Sequence, residues 1–554
     1  MNQKKLLRVI SMIMLLVLTT SLLLSCQSTP TTTGSTTGQT TTGATTTKGT
    51  TGATTTEKEV FSYPFDPPIK LTINRDNSPY DVSNIDPAFH DVFAWNVYKE
   101  KTGVELEVVG ASSGAYEMSE SFLLLLASGD YPDLMQANWI RFPGGPQAAM
   151  DDGYIIELTP YQEYFPALMQ VYAEHPDWYQ MVQTDDNKLY NFPYLRGDPD
   201  AHTETGMVIR QDWLDALNLE VPTTIDELTE VFRAFKNEYG LASAFTFEMR
   251  WLWLEWASAG LSSAYGYTYP FFVNDGEVKF GPLEPGFKAF MAQMASWYEE
   301  QLLDPDFPSI NKATVQSKFA SGEVGVAIQQ LNNVIGCIEA NAGTDYKVSG
   351  VPSFKNPATG DAMFSHYYQT YDGSFGVAIS TKCDDIESAA RFLDYLYTEE
   401  GQLFSTYGTE GVSYEMVNGE PTFTDYLWNN PTGATPGEVK GRVSMGANYA
   451  VIRWAFTGHM LDYAKVVHKE WVNENMANHV YPATTFTSIE AAIVSRNFTN
   501  IDTYCKESIA KFVTGQWNTT TDYDAFISQL ESYGVQSVLD VYQAAYDRFA
   551  ARSR

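Results

Sequence analysis

The sequence predicts an α/β protein, with open sheets covered by helices, and three observations carry that prediction. Early in the folded region, short β-branched segments and helical stripes follow one another as strand, helix, strand, helix, strand, an order that favours a sheet layered with helices. Several later segments repeat the helical spacing with large apolar residues. About 500 residues follow residue 57, and the chain is 44% hydrophobic, enough for two or three cores rather than one.

Residues 69–73 and 104–109 read as strands on alternation and β-branching. Between them a helix is predicted over 89–101, ended by Gly103. Ser113 is placed to cap a second helix whose apolar face is Met118, Phe122, Leu125 and Leu126, closing at Gly129. Tyr131-Pro132-Asp133-Leu134 enters a third extended segment. Further on, Thr224 and Glu227 form a capping box, and Leu228, Val231, Phe232 and Phe235 follow at helical spacing up to Gly240. Phe287, Phe290, Met291, Met294 and Trp297 make a comparable stripe. Ile386, Ala389, Ala390, Leu393 and Tyr397 make another, after a strand-like segment at 375–380. The chain ends in helices at 526–533 and from Val535 through Tyr546, broken at Gly534. The spacing assigns these aromatic stripes to core rather than to a site.

The N-terminal segment is of another kind. Lys4, Lys5 and Arg8 precede an apolar stretch over 9–18, and then comes Leu23-Leu24-Ser25-Cys26. A charged start, a short apolar stretch and a small residue before a cut mark an export signal over residues 1–25. The stretch is short for a bilayer span, which needs roughly 20 apolar residues. The cysteine after the cut resembles the lipobox of bacterial lipoproteins, and implies lipidation (palmitate) of Cys26. Residues 26–57 hold this cysteine and a Thr/Gly-rich linker in which Lys48 is the sole charge between residues 29 and 56. Such a stretch has nothing to bury and reads as a tether.

Composition narrows the function classes. The formal charge is −33, and the first 25 residues carry three cations and no acid, so their removal leaves about −36. That excess argues against nucleic acid as a partner. With Cys26 taken by lipid, Cys337, Cys383 and Cys505 remain, without metal-ligand spacing, and three buried thiols are expected. The seven histidines are scattered. No metal and no cofactor is predicted.

Six motifs occur in an order that resembles the extracellular solute-binding lipoproteins of carbohydrate ABC importers (family 1, Gram-positive lipoprotein subgroup). Leu124-Leu125-Leu126-Ala127-Ser128-Gly129-Asp130-Tyr131-Pro132-Asp133 is similar to that family's leucine-rich helix and Ala-Ser-Gly-Asp-x-Pro-Asp element. Lys188-Leu189-Tyr190-Asn191-Phe192-Pro193 resembles its Lys-x-Tyr-x-x-Pro element. Ile209-Arg210-Gln211-Asp212-Trp213-Leu214 and Val221-Pro222-Thr223-Thr224 resemble its Arg-x-Asp-Trp-Leu and Pro-x-Thr elements. Gly408-Thr409-Glu410-Gly411-Val412-Ser413-Tyr414 is close to its Gly-x-Glu-Gly-x-x-Tyr signature, and Lys511-Phe512-Val513-Thr514-Gly515 matches near the end. The resemblance implies a two-lobed, periplasmic-binding-protein-like fold (type II), each lobe a mixed sheet flanked by helices, with a ligand cleft between. Residues 58–200 and about 356–435 are expected in lobe 1, and about 201–355 and 436–554 in lobe 2. Crossings are expected near 194–207, near 351–356 and after Tyr414. The implied partners are a carbohydrate, the ABC permease and the membrane through Cys26, with the protein a monomer on the outer face of a Gram-positive cell membrane. Some relatives carry a calcium loop after the Pro-x-Thr helix; here Phe235-Lys236-Asn237-Glu238-Tyr239-Gly240-Leu241 lacks the alternating oxygen ligands, and no calcium is expected there.

A sugar offers flat C–H faces to aromatic rings and a hydroxyl rim to polar side chains. Polar, loop-like contexts therefore supply the ligand-binding candidates. Trp139 and Arg141 follow the third strand, where open α/β sheets bind ligands. Tyr194 and Arg196 lie at the first crossing, and Trp251 is the least core-like of three neighbouring tryptophans. Gln329 and Asn332 follow a strand at 324–328. Tyr367, Tyr371 and Asp372 precede the strand at 375, and Arg453 and Trp454 lie in a late segment that could return to the cleft. No catalytic residue is predicted: nothing marks a carboxylate pair for glycoside hydrolysis, a serine elbow or a phosphate-cradling loop. The protein is therefore expected not to be an enzyme, a surface glycoside hydrolase being the disfavoured reading. A binder of peptides or other non-sugar solutes, or one serving a sensor, is the alternative.

Overall fold

Alternation of side chains decides which residues reach which core. In the computed structural model, which describes residues 61–75, 91–111, 118, 120–197, 202–252, 259–364, 371, 376–430, 432–434, 436–445, 450–452, 462–472 and 479–553, two sheets each bury both faces. The first comprises β1 (Ile69–Arg75), β2 (Val104–Ala111), β3 (Leu134–Gln136), β4 (Phe192–Arg196) and two late strands. The second is built from β5 (Thr205–Arg210), β6 (Phe245–Thr246), β9 (Val326–Gln330) and β10 (Val348–Val351), while β7 (Phe271–Asn274) and β8 (Glu277–Phe280) form a separate hairpin. After β11 (Gly376–Ile379) come a hairpin of β12 (Tyr414–Val417) and β13 (Glu420–Phe423), and then β14 (Ala450–Ile452). The strand orders are β14-β4-β11-β3-β1-β2 and β10-β5-β9-β6.

In the first sheet, β1, β2 and β3 run parallel, β11 lies antiparallel between β3 and β4, and β14 is parallel to β4. Leu134, Val377 and Ile379 point into one core with Tyr98, Phe392 and Phe404, whereas Met135 and Ala378 point into another with Phe122 and Trp139. The second sheet repeats the pattern. Met207, Ile209, Val326 and Ile328 enter the larger core, and Val208 and Ala327 face Val467 and Trp471. Strands buried on both faces read as short apolar runs, as β11 and the first half of β9 do, whereas the outer strand β2 alternates and leaves Val108 and Val109 exposed.

The predicted helices are present with some shifted ends. Gly103 closes the helix Ala94–Thr102 in the left-handed region. The capping box of Thr224 and Glu227 opens the helix Ile225–Tyr239, and Gly240 ends it; the segment from Phe235 to Leu241 is thus that helix's last turn and cap. Met118 is a correction: it has φ of 50°, outside the helix Glu120–Ser128, yet its side chain is buried in the same core. Ser113 lies outside the described residues. Tyr397 falls in a 3-10 turn beyond the helix Ile386–Asp394.

The chain passes between the two sheets after β4, after β10 and after β14. Ala450–Ile452, expected in lobe 2, instead pairs with β4 of the first sheet; β14 adds an outer strand there before the chain leaves. The helix Asp462–Trp471 then lies against β5 and β10, where Trp471 Nε1 donates to Met207 O at 2.8 Å. Glycine at 206 and 350 permits that approach, since a Cβ would meet the Trp471 indole at 2.3 Å or Val467 O at 2.3 Å. The helices Ser488–Val513, Tyr523–Ser532 and Val535–Ala550 complete the larger core. The last of these ends in contact with the first lobe. Arg548 Nε and Arg552 Nη2 each reach Asp185 at 2.7 Å, and Gln180 and Gln183 donate to Phe549 O and Ser553 O.

Cys337, Cys383 and Cys505 are free and buried. Burial raises all three thiols, Cys337 and Cys383 to about 11, so none is a thiolate near neutral pH.

Candidate ligand cleft

The residues singled out from sequence gather at two sheet edges. In the first sheet the carboxyl ends of β1, β3, β4 and β14 and the amino end of β11 share one edge. Trp139 and Arg141 leave β3 there in a 3-10 turn, and Tyr194 and Arg196 end β4. Tyr371 lies five residues before β11. In the second sheet the start of β5 meets the end of β9, with Thr205 opposite Gln330, and Trp251 follows β6 in a 3-10 turn. Gln329 is the last but one residue of β9, and Asn332 stands in the first turn of the helix Leu331–Ala340. The passage from β4 to β5 is short, from Arg196 to Thr205, and Leu331 N donates to Glu204 O at 2.8 Å. The two edges are therefore neighbours. Tyr367, Asp372, Arg453, Trp454 and Cys26 lie outside the described residues.

Burial divides these candidates. Trp139 is fully buried and packs against Phe122 and Phe142. Trp251 and Tyr371 are 2% and 1% exposed. These three are corrections as open-faced contacts. Large rings bring more stabilisation inside a core, at about 25 cal/mol per Å² of apolar surface, than on a wet edge. Tyr371 instead accepts from Asn191 Nδ2 at 3.2 Å and shares a 2.7 Å hydrogen bond with Tyr190. Gln329 is also buried. Arg141 and Asn332 are exposed and Tyr194 is half-buried, with the Arg196 guanidinium 5.3 Å from the Tyr194 ring centre.

Several buried polar atoms along these edges have no hydrogen-bond partner within the protein: Asn138 Oδ1, Trp139 Nε1, Thr205 Oγ1 and Ser353 Oγ. Most buried polar groups in proteins are paired, so these atoms are open to a hydrogen-bonding partner from outside the chain.

Charge converges on the passage as well, through Arg196 and three residues that sequence reasoning missed, Glu204, Lys312 and Lys440. Burial raises the Glu204 carboxyl, against the opposing pull of Arg196, Lys440 and Lys312. Burial also lowers Lys440, to about 8, with Glu204 pulling it back up. Arg196 and Lys440 come from the first lobe, in β4 and the helix Pro436–Val443, and Lys312 from the second. No local motif signals this group, because its members meet only through tertiary folding. Arg210, by contrast, is structural: it grips Asp212 at 2.6 and 2.8 Å between the rings of Trp213 and Tyr346.

With this geometry in place, the comparisons with known proteins decide the family. The family model of bacterial extracellular solute-binding proteins matches residues 82–403. The chain belongs to that family. Among its relatives, the fructooligosaccharide ABC transporter substrate-binding protein FusA of Streptococcus pneumoniae serotype 4 is 22% identical over 494 residues, 82% of this chain and 86% of that protein. The polygalacturonan/rhamnogalacturonan-binding protein YtcQ of Bacillus subtilis is 22% identical over 457 residues, 80% of this chain and 86% of that one. Lipoprotein LipO of Bacillus subtilis is 25% identical over 357 residues, 59% and 65% of the two chains. A solved structure of FusA in complex with kestose superposes with a TM-score of 0.67 at 21% identity, covering 87% of this chain and 99% of that one. The two-lobed solute-binding fold is thus established for this protein.

Proposed function

We propose that this solute-binding protein captures an oligosaccharide between its lobes and hands it, unaltered, to an ABC importer. The observation that carries the reading is the meeting of two sheet edges lined with ring-bearing, amide and charged side chains across one short passage of chain. Tyr194 offers a ring face, while Arg141, Asn332 and the Glu204 group offer partners for hydroxyls. FusA and YtcQ are named for binding fructooligosaccharide and polygalacturonan or rhamnogalacturonan, which supports a carbohydrate over a peptide. Closure of the lobes would bury the sugar and reshape the outer surface read by the permease. The ligand can shift that equilibrium only by its extra affinity for the closed form.

The reading extends to location and lobe limits. Cys26 carries lipid on the outer face of the membrane, a reading supported by the lipobox-like sequence and by the relative named as a lipoprotein. Residues 58–200 and about 356–452 form one lobe, and about 201–355 with the chain from 462 onward form the other. The protein acts as a monomer and is not an enzyme. A thermal-shift screen with neutral and acidic di- to tetrasaccharides tests the function, each sugar being recovered and analysed afterwards. A ligand at 100 times its Kd adds about 2.7 kcal/mol of stability. No shift with any sugar, or recovery of a cleaved sugar, would overturn the reading.

A further inference from the structure

We propose that a groove on the first lobe, apart from the cleft edges, docks a basic polypeptide segment of a partner protein by seating an arginine or lysine side chain. The groove encloses about 580 Å³ between the helix Pro166–Glu174, the start of the helix Glu399–Tyr407 and the β12–β13 hairpin. Its chemistry is one-sided. Three of its side-chain donors already serve the protein: Gln402 Nε2 donates to Tyr397 O at 2.8 Å, Gln170 Nε2 to Glu174 Oε1 at 3.0 Å, and Thr398 Oγ1 to Tyr395 O at 2.6 Å. The lining carries two carboxylates and no lysine or arginine. Gln402, 5% exposed, has its Oε1 buried without a partner, and the exposed carboxylates of Glu174 and Glu399 complete the lining.

A groove that offers acceptors and two negative charges selects a ligand that brings donors and positive charge. Lysine and arginine do so, and their aliphatic stems bury well along apolar walls. Val171, Leu403, Met416 and Pro421 supply such walls. Charge-assisted hydrogen bonds to carboxylates are roughly twice as strong as neutral ones. A sugar fits poorly, because the one ring in the lining, Tyr397, is 2% exposed and donates its hydroxyl to Pro193 O. The same surface continues onto the hairpin, where Met416 and Val417 are 44% and 41% exposed. A free polyamine would satisfy the carboxylates and leave that apolar edge uncovered, whereas a polypeptide with apolar residues beside its basic ones covers both.

The test is fluorescence anisotropy of the full-length protein at 150 mM salt with a labelled Leu-Arg-Leu-Arg-Leu peptide, against Leu-Glu-Leu-Glu-Leu and spermidine. The basic peptide should bind and the acidic one should not. Glu174→Gln with Glu399→Gln should weaken binding at least tenfold, and Met416→Ala about threefold. Neutralising two exposed acids on the helix Tyr523–Ser532 (Asp524→Asn with Glu531→Gln) should leave it unchanged. In NMR of the methionine methyl groups, the Met416 signal should move on adding peptide. Equal losses in the two double variants would reduce the effect to general attraction towards a chain of charge −33 and overturn the proposal. An unmoved Met416 signal, or spermidine competing as well as the peptide, would also overturn it. Sugar binding should persist in the Glu174/Glu399 variant, so failure here leaves the reading of the cleft intact.

Discussion

Asp394 shows how one residue can set a pH dependence away from any site. Its carboxylate accepts from Ala167 N at 3.0 Å and Leu168 N at 2.8 Å, at the start of the helix Pro166–Glu174. Burial nevertheless raises it to about 7, outweighing those two donors. An unfolded aspartate titrates near 3.9, so between about pH 4 and 7 the folded form holds more protons. Stability from this group is therefore full below pH 4 and is lost as pH rises through 7. Urea unfolding at pH 4.5 and 7.5 should show wild type losing up to ~4 kcal/mol more than Asp394→Asn over this window; equal losses would contradict it. In the cleft, Tyr194→Ala should weaken sugar binding about five- to thirtyfold, a cost of about 1–2 kcal/mol, with little change in Tm. An unchanged Kd by calorimetry would remove Tyr194 from the site. At this scale the position of a residue at a strand end was legible in the sequence, and its burial was not. Trp139 sits at the expected strand end, but whether its indole faces water or core is decided by packing against Phe122 and Phe142, which strand position alone does not reveal.

Among the elements, strong local signals were legible and weak ones were not. The stripe from Phe287 to Trp297 is buried throughout, and the capping box at Thr224 is made as expected. Two hairpins were missed although their turns are explicit: Asp275-Gly276 and Asn418-Gly419 have positive φ at both positions, the geometry of two-residue type I′ turns. The longest described helix, Ser488–Val513, was also missed. Its buried residues start only at Ile501, and Ile489 is 77% exposed, so its first half shows no apolar stripe. Its start signal was present, a second capping box of Thr487 and Glu490. Thr487→Ala should cost about 1 kcal/mol of stability, measured by chemical unfolding; a change below a few tenths would mean that packing alone holds that end.

For the whole molecule, the C-terminal contact joins the lobes without a covalent crossing. Asp185 of the first lobe receives Arg548 and Arg552, and Arg552 is 4% exposed. Removing the acid leaves a buried cation without its counter-charge, which typically costs about 3–5 kcal/mol. Asp185→Asn should therefore lower stability by ~3 kcal/mol and loosen the junction between lobes; a loss under 1 kcal/mol in urea unfolding would show that the contact is not holding them. The two-sheet architecture followed from element order and family-like motifs. The place of β14 did not, since three residues beyond a long non-strand segment give too little pattern to assign to either sheet.

The claim on which the rest depends is that two hinged lobes close on an unaltered solute. Small-angle X-ray scattering of the protein with and without the sugar found in the stability screen measures this directly. The account predicts a smaller radius of gyration when sugar is bound, restored once the intact sugar is dialysed away. Identical scattering at saturating sugar would contradict it.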